Sequence, residues 1–239
     1  ESPASYTVAT TTRPTRQMHP HATADPPLLL VALEIEAAAL RRALPSAWHG
    51  RVIRVGPGAR ALPPHTDLPP CSLAVAAGIA GGLDPALRTG DVIVDGPIDP
   101  PAGAVRGRVH SADRISPTPE DKRAIRDATG AHAVEMEVGP LRAALQPAGI
   151  EVAALRAVAD TAHDSLPAFM QRLVTDDGRS RPLAAAGHLA RHPADLPALL
   201  RAARQSHTAC RAMARAVVAW LDGSNEPARP DSGDAQPRA

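Results

Sequence analysis

Short apolar runs alternate along this chain with segments of helical periodicity, and this alternation restricts the fold more than any other feature. The run Leu28–Leu33 is apolar at every position, which is typical of a strand buried on both faces. Strands of this kind need helices on both sides of their sheet. We therefore predict a single α/β domain, a size that suits 239 residues.

The predicted elements follow from the apolar periods and from the turn residues between them. Strands are expected at Leu28–Leu33, Arg51–Val55, Leu73–Ala77, Asp91–Val94, Gly107–Ser111, Ala133–Met136 and Glu151–Ala159. Helices are expected from Glu36 to about Leu44, at Pro119–Thr129 with Gly130 as terminator, near Pro140–Gln146, and from about Pro193 to Leu221. The prolines within residues 59–70 argue against a helix there.

The composition of the two ends predicts the bounds of the domain, and the charge and apolar content of the chain argue against some classes of protein. Residues 1–26 are predicted to be a disordered leader and 223–239 a disordered tail, so the domain spans 27–222. The net charge of +1, without basic clusters, argues against nucleic-acid binding. Cys71 and Cys210 lack metal-ligand spacing, which predicts a reduced, cytoplasmic protein. No apolar run approaches the roughly 20 residues that a membrane span requires.

Polar groups stand at or just past the ends of four predicted strands. Ligands of open α/β sheets collect at the carboxyl ends of strands, so this shared placement predicts a binding site. The groups are Glu34 and Glu36, the glycine-rich segment 78–82, Glu135-Met136-Glu137, and Asp160. The glycine segment is expected to form a loop, although it lacks the spacing of a dinucleotide fingerprint.

Each of these groups also has an ordinary structural interpretation. Glu36 could complement a helix dipole, and Glu137 could cap a helix. Asp160 could be an N-cap, the glycine segment could be a tight turn, and Met136 could fill the core. The histidines His188, His192 and His207 lack an acidic partner at metal-site spacing, so we expect surface residues and no metal.

The joint pattern resembles a known family. AAGIAGGLDPALRTGDVIV (76–94) and VALEIEAAALRR (31–42) are similar to segments of the 5′-methylthioadenosine/S-adenosylhomocysteine nucleosidases and related nucleoside phosphorylases. AVEMEVGPL (133–141) resembles their ribose motif, and LRAVADTAHDSLP (155–167) resembles their last strand with its aspartate. DDGRSRPLAAAGHLARHPADLPALLRAARQS (176–206) resembles the hopanoid-associated branch, the adenosylhopane nucleosidases. The resemblance implies a three-layer α/β/α fold with a mixed central sheet, and a homo-oligomer.

The resemblance also implies a role for each residue of the site. Asp160 would protonate or hydrogen-bond N7 of a leaving purine, and Glu36 would activate the attacking water, with Glu34 nearby. Glu137 would bind the ribose hydroxyls, and Met136 would pack on the ribose face. The backbone of Gly78, Ile79, Ala80 and Gly81 would hold the nucleophile, either water or phosphate as a co-substrate. Ala159 and Phe169 would line the pocket, and no cofactor is implied.

Three departures from the family leave the substrate open. Ile79 stands where the short-substrate enzymes have a hydroxyl, and Ala159 replaces a common serine. No phosphate-binding motif includes an arginine, and only their positions make Arg54, Arg60 and Arg88 candidate phosphate ligands. Hydrolysis is therefore favoured over phosphorolysis by a small margin. The shortened segments 59–70 and 95–110 indicate either an open pocket for a lipid-linked adenosine or loss of the site.

The alternatives are therefore a lipid-linked adenosine nucleosidase, a methylthioadenosine, adenosylhomocysteine or purine nucleoside-cleaving enzyme, and a catalytically silent nucleoside-binding protein. Leu166, Pro167, Phe169 and Met170 would line the pocket for an apolar tail, and a lipid substrate would imply transient membrane contact. His163-Asp164 would form either the pocket mouth or an ordinary polar turn.

Overall fold

The chain folds around one mixed β-sheet. A computed structural model describes residues 25–115 and 118–223, and the predicted leader and tail lie almost wholly outside these ranges. The strands are β1 (Leu28–Val31), β2 (Val52–Arg54), β3 (Leu73–Gly82), β4 (Val92–Asp95), β5 (Ala104–Arg106), β6 (Val109–Ser111), β7 (Ala133–Glu135) and β8 (Glu151–Val158). The α-helices are α1 (Glu34–Ala43), α2 (Pro119–Thr129), α3 (Val138–Leu145), α4 (Pro182–Arg191) and α5 (Leu196–Leu221).

The strands follow the order β2-β1-β3-β8-β4-β5, with β6 and β7 attached through the end of β3. β1, β2, β3 and β8 run parallel, β4 is antiparallel to β8, and β7 is antiparallel to β3. The carboxyl ends of β1, β3 and β8 therefore meet at one edge. The predicted mixed sheet flanked by helices is confirmed.

Two apolar layers cover the two faces of the sheet. On one face Leu40 of α1 and Met213 of α5 pack with Val75 of β3. On the other face Leu141 of α3 packs with Ala76, the next residue of β3. Alternate residues of a strand point to opposite faces, so β3 is buried on both sides, as its apolar sequence predicts.

The predicted glycine loop at 78–82 is wrong, because β3 continues through Gly82. Gly78–Ala80 pair with β8, and Gly81 and Gly82 pair with β7. These pairings over long sequence distances supply the backbone hydrogen bonds that a loop would lack. The glycines thus belong to a strand against which other groups pack closely.

Several boundaries also differ from prediction. β1 ends at Val31, and α1 begins at Glu34, before Glu36. α3 begins at Val138 because Pro140 lies in the first turn, where no intrahelical N–H bond is lost. The predicted strand Gly107–Ser111 is β6, which begins at Val109, and β5 was not predicted.

Other elements agree with or extend the sequence pattern. α2 and its αL terminator Gly130 match the prediction. No α-helix forms over residues 59–70, as their prolines predict. α4 was not predicted, because an alanine-rich stretch beginning with proline carries no apolar period.

A short hairpin, residues 174–180, covers the ends of β1 and β2. Val174 bridges Ser180, and the Gly178 carbonyl accepts a hydrogen bond of 2.8 Å from the Glu34 N–H. The backbone is so close that a Cβ on Gly178 would lie 1.9 Å from the Ala32 carbonyl oxygen. The 174–180 hairpin therefore closes the sheet edge at the carboxyl end of β1.

We expect Gly178→Ala to detach this hairpin and to lower the free energy of unfolding by at least about 2 kcal/mol, because a positive φ and a backbone clash combine. Gly130→Ala is the matched control, since Gly130 has a similar φ of +64° but nothing within 4 Å of the added Cβ. Urea denaturation of both variants compares the two costs. Equal losses would show that the close contact with Ala32 contributes nothing.

Candidate active site

A buried group of charged side chains lies at the edge where β1, β3 and β8 end. Glu36 comes from α1, Arg156 from β8, and Glu135 and Glu137 from the end of β7. We call these four residues the arginine cluster. All four are buried, so their charges are shielded from water and interact strongly.

Glu36 is both a helix cap and a partner of the central strand. Its Oε2 accepts hydrogen bonds from the N–H groups of Ala32 at 2.9 Å and Leu33 at 2.8 Å. Its Oε1 accepts one from the Ile79 N–H at 2.8 Å. Burial raises the pKa of the carboxyl, while Arg156 and these three backbone donors oppose the rise. Glu36 thus caps the start of α1, and the contact with Ile79 brings the same carboxylate to β3.

Arg156 is the central cation of the cluster. Its Nη2 contacts Glu135 Oε2 at 2.5 Å and Glu137 Oε2 at 3.3 Å. Burial lowers the pKa of the guanidinium, but the acids Glu135, Glu137 and Glu36 raise it further, so the net shift is upward. Arg156 therefore stays charged, pairs directly with Glu135 and Glu137, and attracts the carboxylate of Glu36 at longer range.

Glu135 fixes the geometry of this edge. Its carboxylate accepts hydrogen bonds from the N–H groups of Glu137 at 2.8 Å and Val138 at 2.9 Å, at the start of α3. It also accepts one from the Ser111 hydroxyl. With all its contacts inside the protein, Glu135 positions Arg156 and the turn that carries Glu137.

Glu137 holds a carboxyl group that titrates near neutrality. Its Oε1 accepts a hydrogen bond of 3.0 Å from the Gly58 N–H. Burial raises the pKa of Glu137 to about 7, Arg156 lowers it, and the neighbouring Glu135 raises it. Each carboxylate oxygen has two lone pairs, so both can still accept hydrogen bonds from a ligand hydroxyl.

Gly78 has no side chain, and this allows the arginine cluster to pack directly against β3. A Cβ at this position would lie 2.3 Å from Arg156 Nη1 and 2.8 Å from Glu36 Oε1. A side chain here would have to displace the ends of these two buried charged groups. The glycine is therefore required for close approach of charged groups to the strand, and not for a turn.

Asp160, two residues past the end of β8, forms a second charged group with Lys122 of α2. Lys122 Nζ lies 2.6 Å from Asp160 Oδ2 and donates to the carbonyls of Thr161 at 2.6 Å and Asp164 at 2.9 Å. The Lys122 side chain is 1% exposed. Burial raises the pKa of Asp160, and the ammonium of Lys122 opposes the rise.

The two charged groups meet the same strand. A Cβ on Gly81 would lie 3.2 Å from Asp160 Oδ2, whereas Gly78 faces the arginine cluster. Three residues of extended strand span about 10 Å, so the glycine segment of β3 connects the two groups. The site thus has one acid beside a lysine and, further along β3, an arginine with three acids.

The 174–180 hairpin pairs with two of the three arginines that could have bound phosphate, Arg54 and Arg60. Arg54 Nη2 lies 3.4 Å from Asp177 Oδ2, and Arg60 Nη1 lies 3.2 Å from Asp176 Oδ1. Both pairs are partly or fully exposed. An anionic ligand would therefore compete with these carboxylates for the two guanidinium groups.

The other residues proposed from the sequence lie around these groups or apart from them. Glu34 is exposed at the start of α1, and Met136 is half-buried. Ala159 is buried and accepts a hydrogen bond from the Thr89 hydroxyl at 2.8 Å. Phe169 stacks on His188 with ring centroids 3.9 Å apart, in a cavity that Arg172 and Arg191 also line.

His163-Asp164 forms a polar turn. Asp164 accepts hydrogen bonds from Thr161 N–H and Oγ1, both at 2.8 Å, while His163 is exposed. Among the other histidines, His192 and His207 are exposed as predicted, but His188 is half-buried and pairs with Asp195 at 2.7 Å. Within the described ranges, no group of three or more His, Cys, Asp or Glu side chains could hold a metal ion.

Arg156 and Lys122 belong to the site but were not predicted from the sequence. A signal existed for each: Arg156 is the one charged residue inside the apolar run Val152–Ala159, and Lys122 is the only lysine of the sequence. A charge in such a run needs a buried partner, which the sequence does not name.

This arrangement lies on a fold shared with enzymes that cleave nucleosides. The 5′-methylthioadenosine/S-adenosylhomocysteine nucleosidase of Colwellia psychrerythraea matches with a TM-score of 0.55 and 17% identity, covering 82% of this chain and 94% of that chain. The corresponding enzyme of Neisseria meningitidis gives 0.55 and 16%, covering 82% and 98%. The futalosine hydrolase of Helicobacter pylori gives 0.53 and 14%, covering 82% and 97%.

The match found from sequence covers a smaller part of the chain than the structural matches do. The family model described as the phosphorylase superfamily matches residues 101–182. This segment contains Glu137, Arg156 and Asp160, whereas Glu36 and Gly78 lie before it. A search among curated proteins finds no match.

We expect Glu137 to make the protein less stable as the pH rises. With a folded pKa of about 7 against 4.5 for the ordinary group, the native state keeps a proton that the unfolded chain releases between these values. The free energy of unfolding should therefore decrease across this window, by roughly 3 kcal/mol from this residue. Urea denaturation at several pH values measures the slope.

Glu137→Gln removes that titration, so its stability should fall less between pH 5 and 8 than that of the unmodified protein. Exposed Glu151→Gln is the matched control and should leave the slope unchanged. A Glu137→Gln slope equal to that of the unmodified protein would contradict the raised pKa of Glu137.

Proposed function

We propose that the chain is a purine N-ribosidase, which cleaves the bond between adenine and the ribose of an adenosine derivative. The observation that carries the proposal is the pair of buried charged groups along β3, Asp160 at Gly81 and the arginine cluster at Gly78. Cleavage of a ribosidic bond needs an acid for the leaving base and a base for the nucleophile. The fold and the partial match to the phosphorylase superfamily support this assignment.

In the proposed reaction, the oxygen of a water molecule attacks C1′ while the C1′–N9 bond breaks. The bonding electrons remain on the purine, and Asp160 donates or shares a proton at N7. Glu36 accepts the proton that the water loses. Burial raises the pKa of both Asp160 and Glu36, which suits groups that exchange protons during the reaction.

Glu137 is proposed to accept hydrogen bonds from the ribose hydroxyls and so to hold C1′ in line with the water. Met136 would pack on the ribose face. Arg156 acts through the carboxylates as a positioning residue, because its contacts fix Glu135 and Glu137. The amides of Gly78–Gly81 would lie beside the nucleophile.

Water is the proposed nucleophile rather than phosphate. Arg54 and Arg60 are paired with Asp177 and Asp176, and Ile79 contributes no hydroxyl. The test is product analysis with and without inorganic phosphate. Free ribose derivative and a phosphate-independent rate are expected, whereas a ribose 1-phosphate product would overturn this part of the proposal.

The proposed substrate carries a bulky apolar group at the 5′ position, as in an adenosyl lipid such as adenosylhopane. The support is the resemblance of residues 176–206 to the hopanoid-associated branch and the half-buried Leu166, Pro167 and Met170. Methylthioadenosine or adenosylhomocysteine is the second candidate, since several structural neighbours act on these compounds. A homo-oligomer is proposed from the family resemblance alone.

Relative values of kcat/KM distinguish the two substrate classes. A 5′-decylthio adenosine should be cleaved at least about tenfold more efficiently than methylthioadenosine, because several methylenes would be buried. Adenine release is measured by chromatography for both compounds. Equal efficiencies would count against the lipid substrate and in favour of the short one.

A further inference from the structure

The outer face of α5 combines exposed leucines with arginines. Leu196, Leu200, Arg204 and Arg211 recur at spacings of four, four and seven residues, so they form one stripe. All four are exposed, whereas Met213 and its neighbours on the opposite face are buried in the core. One face of α5 therefore packs on the sheet and on α1, and the other face has no partner in the described part of the chain.

The exposed apolar residues of the molecule concentrate here. Five large hydrophobic residues are exposed in the described chain, and three of them lie on α4 and α5. Leu183 is 88% exposed, Leu196 45% and Leu200 47%. A single exposed leucine is ordinary, but a group on two consecutive helices indicates an interaction surface.

The same two helices carry arginines without any acidic residue. α4 and α5 contain Arg191, Arg201, Arg204, Arg211 and Arg215 and no Asp or Glu, a formal charge of +5. The whole chain has a charge of +1, so the remainder carries −4. The five arginines are exposed. The two helices are therefore cationic, and Asp195 is the one acid in the segment between them.

We propose that the α4–α5 face binds an anionic lipid bilayer. Exposed leucines beside arginines are the pattern of helices that lie in the membrane interface, where apolar side chains enter the acyl region and cations meet the headgroups. No helix of the described chain is long and apolar enough to cross a membrane, so the contact is at the surface. The proposal does not depend on the proposed substrate.

Two other occupants fit the surface less well. In a symmetric dimer this face would meet its own copy, which would bring +5 against +5. Nucleic acid would suit the arginines, but single-stranded chains also need aromatic rings for stacking, and α4 has none while the only aromatic residue of α5, Trp220, is buried. Charge and apolar exposure together favour the bilayer.

The test is co-sedimentation of the full chain with vesicles. Vesicles of equal parts phosphatidylglycerol and phosphatidylcholine are compared with pure phosphatidylcholine, at about 50 and 500 mM NaCl. We expect at least about tenfold stronger binding to the anionic vesicles, and most of it lost at the higher salt concentration. Equal binding to both vesicle types, or none to either, would overturn the proposal.

Substitutions separate the two components of the surface. Leu196→Ser with Leu200→Ser should lower vesicle binding at least about fivefold, and Arg204→Glu with Arg211→Glu should lower it further. Val105→Ser is the apolar control, since Val105 is 48% exposed but lies on β5. Arg42→Glu with Arg123→Glu is the charge control, on α1 and α2, and should bind nearly as the unmodified protein does.

Three outcomes would contradict the assignment. Undiminished binding by the double serine variant would show that the leucines do not enter the bilayer. A dimer in sedimentation velocity that the serine substitutions dissociate would identify a second copy as the occupant. Retention on DNA without binding to anionic vesicles would identify a nucleic-acid surface. Since none of these measurements uses adenine release, their failure is distinguishable from failure of the proposed reaction.

Discussion

Asp160→Asn is expected to slow adenine release by about 10²–10⁴-fold, the usual contribution of a general acid. Asn has nearly the shape of Asp but cannot donate a proton to N7 of the leaving purine. The rate would be followed by chromatography at saturating substrate, so that the loss is assigned to kcat. A similar KM would show that the substrate still binds.

Controls for this variant come from the same loop. Asp164→Asn makes the same change four residues away, in a turn that contacts Thr161, and is expected to alter the rate less than about threefold. Asp160→Asn leaves Lys122 buried without its carboxylate, so Asp160→Asn with Lys122→Met tests whether that unpaired charge causes the loss. The double variant should be as slow as the single one. Restored activity would show that Asp160 serves only to neutralise Lys122.

Lys122 affects both the pKa and the position of the Asp160 carboxyl group. A carboxylate beside an ammonium is held toward its ionised form, whereas burial favours the protonated form, and burial prevails. The lysine therefore limits how far the pKa of the acid rises. It also holds the carbonyls of Thr161 and Asp164, and so positions the loop that presents Asp160.

Arg156→Met is expected to lower the free energy of unfolding by about 3–5 kcal/mol near pH 8, because three buried carboxylates lose their shared cation. The loss should be smaller at pH 5. Without the arginine the folded pKa values of Glu36 and Glu137 rise further, and protonation at low pH then relieves the repulsion.

Arg142→Met is the matched control for Arg156→Met. Arg142 also pairs with an acid, Asp95 at 3.3 Å, but its side chain is 34% exposed, so the loss should stay within about 1 kcal/mol. Guanidinium denaturation of both variants at pH 5 and pH 8 gives the comparison. Equal losses at both pH values would contradict the view that Arg156 is the shared partner of the three carboxylates.

Most of the fold could be predicted because the residues within each strand or helix indicate its type. The apolar run at β1, the proline and glycine that bound α2, and the long period of α5 each identify an element without reference to the rest of the chain. The continuation of β3 through Gly82 could not be predicted this way, because it depends on pairing with β7 and β8. Glycines that are required by neighbouring side chains look, in a sequence, like glycines required by a turn.

The site was predictable to a lesser degree. Glu36, Glu137 and Asp160 stand at strand ends, and the strand order brings two of them to β3. Their partners Arg156 and Lys122 are distant in sequence, and burial with charge pairing is a property of the folded chain. For the same reason the placement of Phe169 against His188 had no local signal.

The most direct test of the central claim is incubation of the unmodified protein with 5′-decylthio adenosine, with adenine and the ribosyl product quantified over time and nucleoside binding measured in parallel. If the chain is a nucleosidase, adenine and free ribosyl product are expected in equal amounts, without added phosphate. Binding of the nucleoside with no adenine released would contradict this assignment, and would make the chain a nucleoside-binding protein in which the charged groups on β3 hold the ligand without cleaving it.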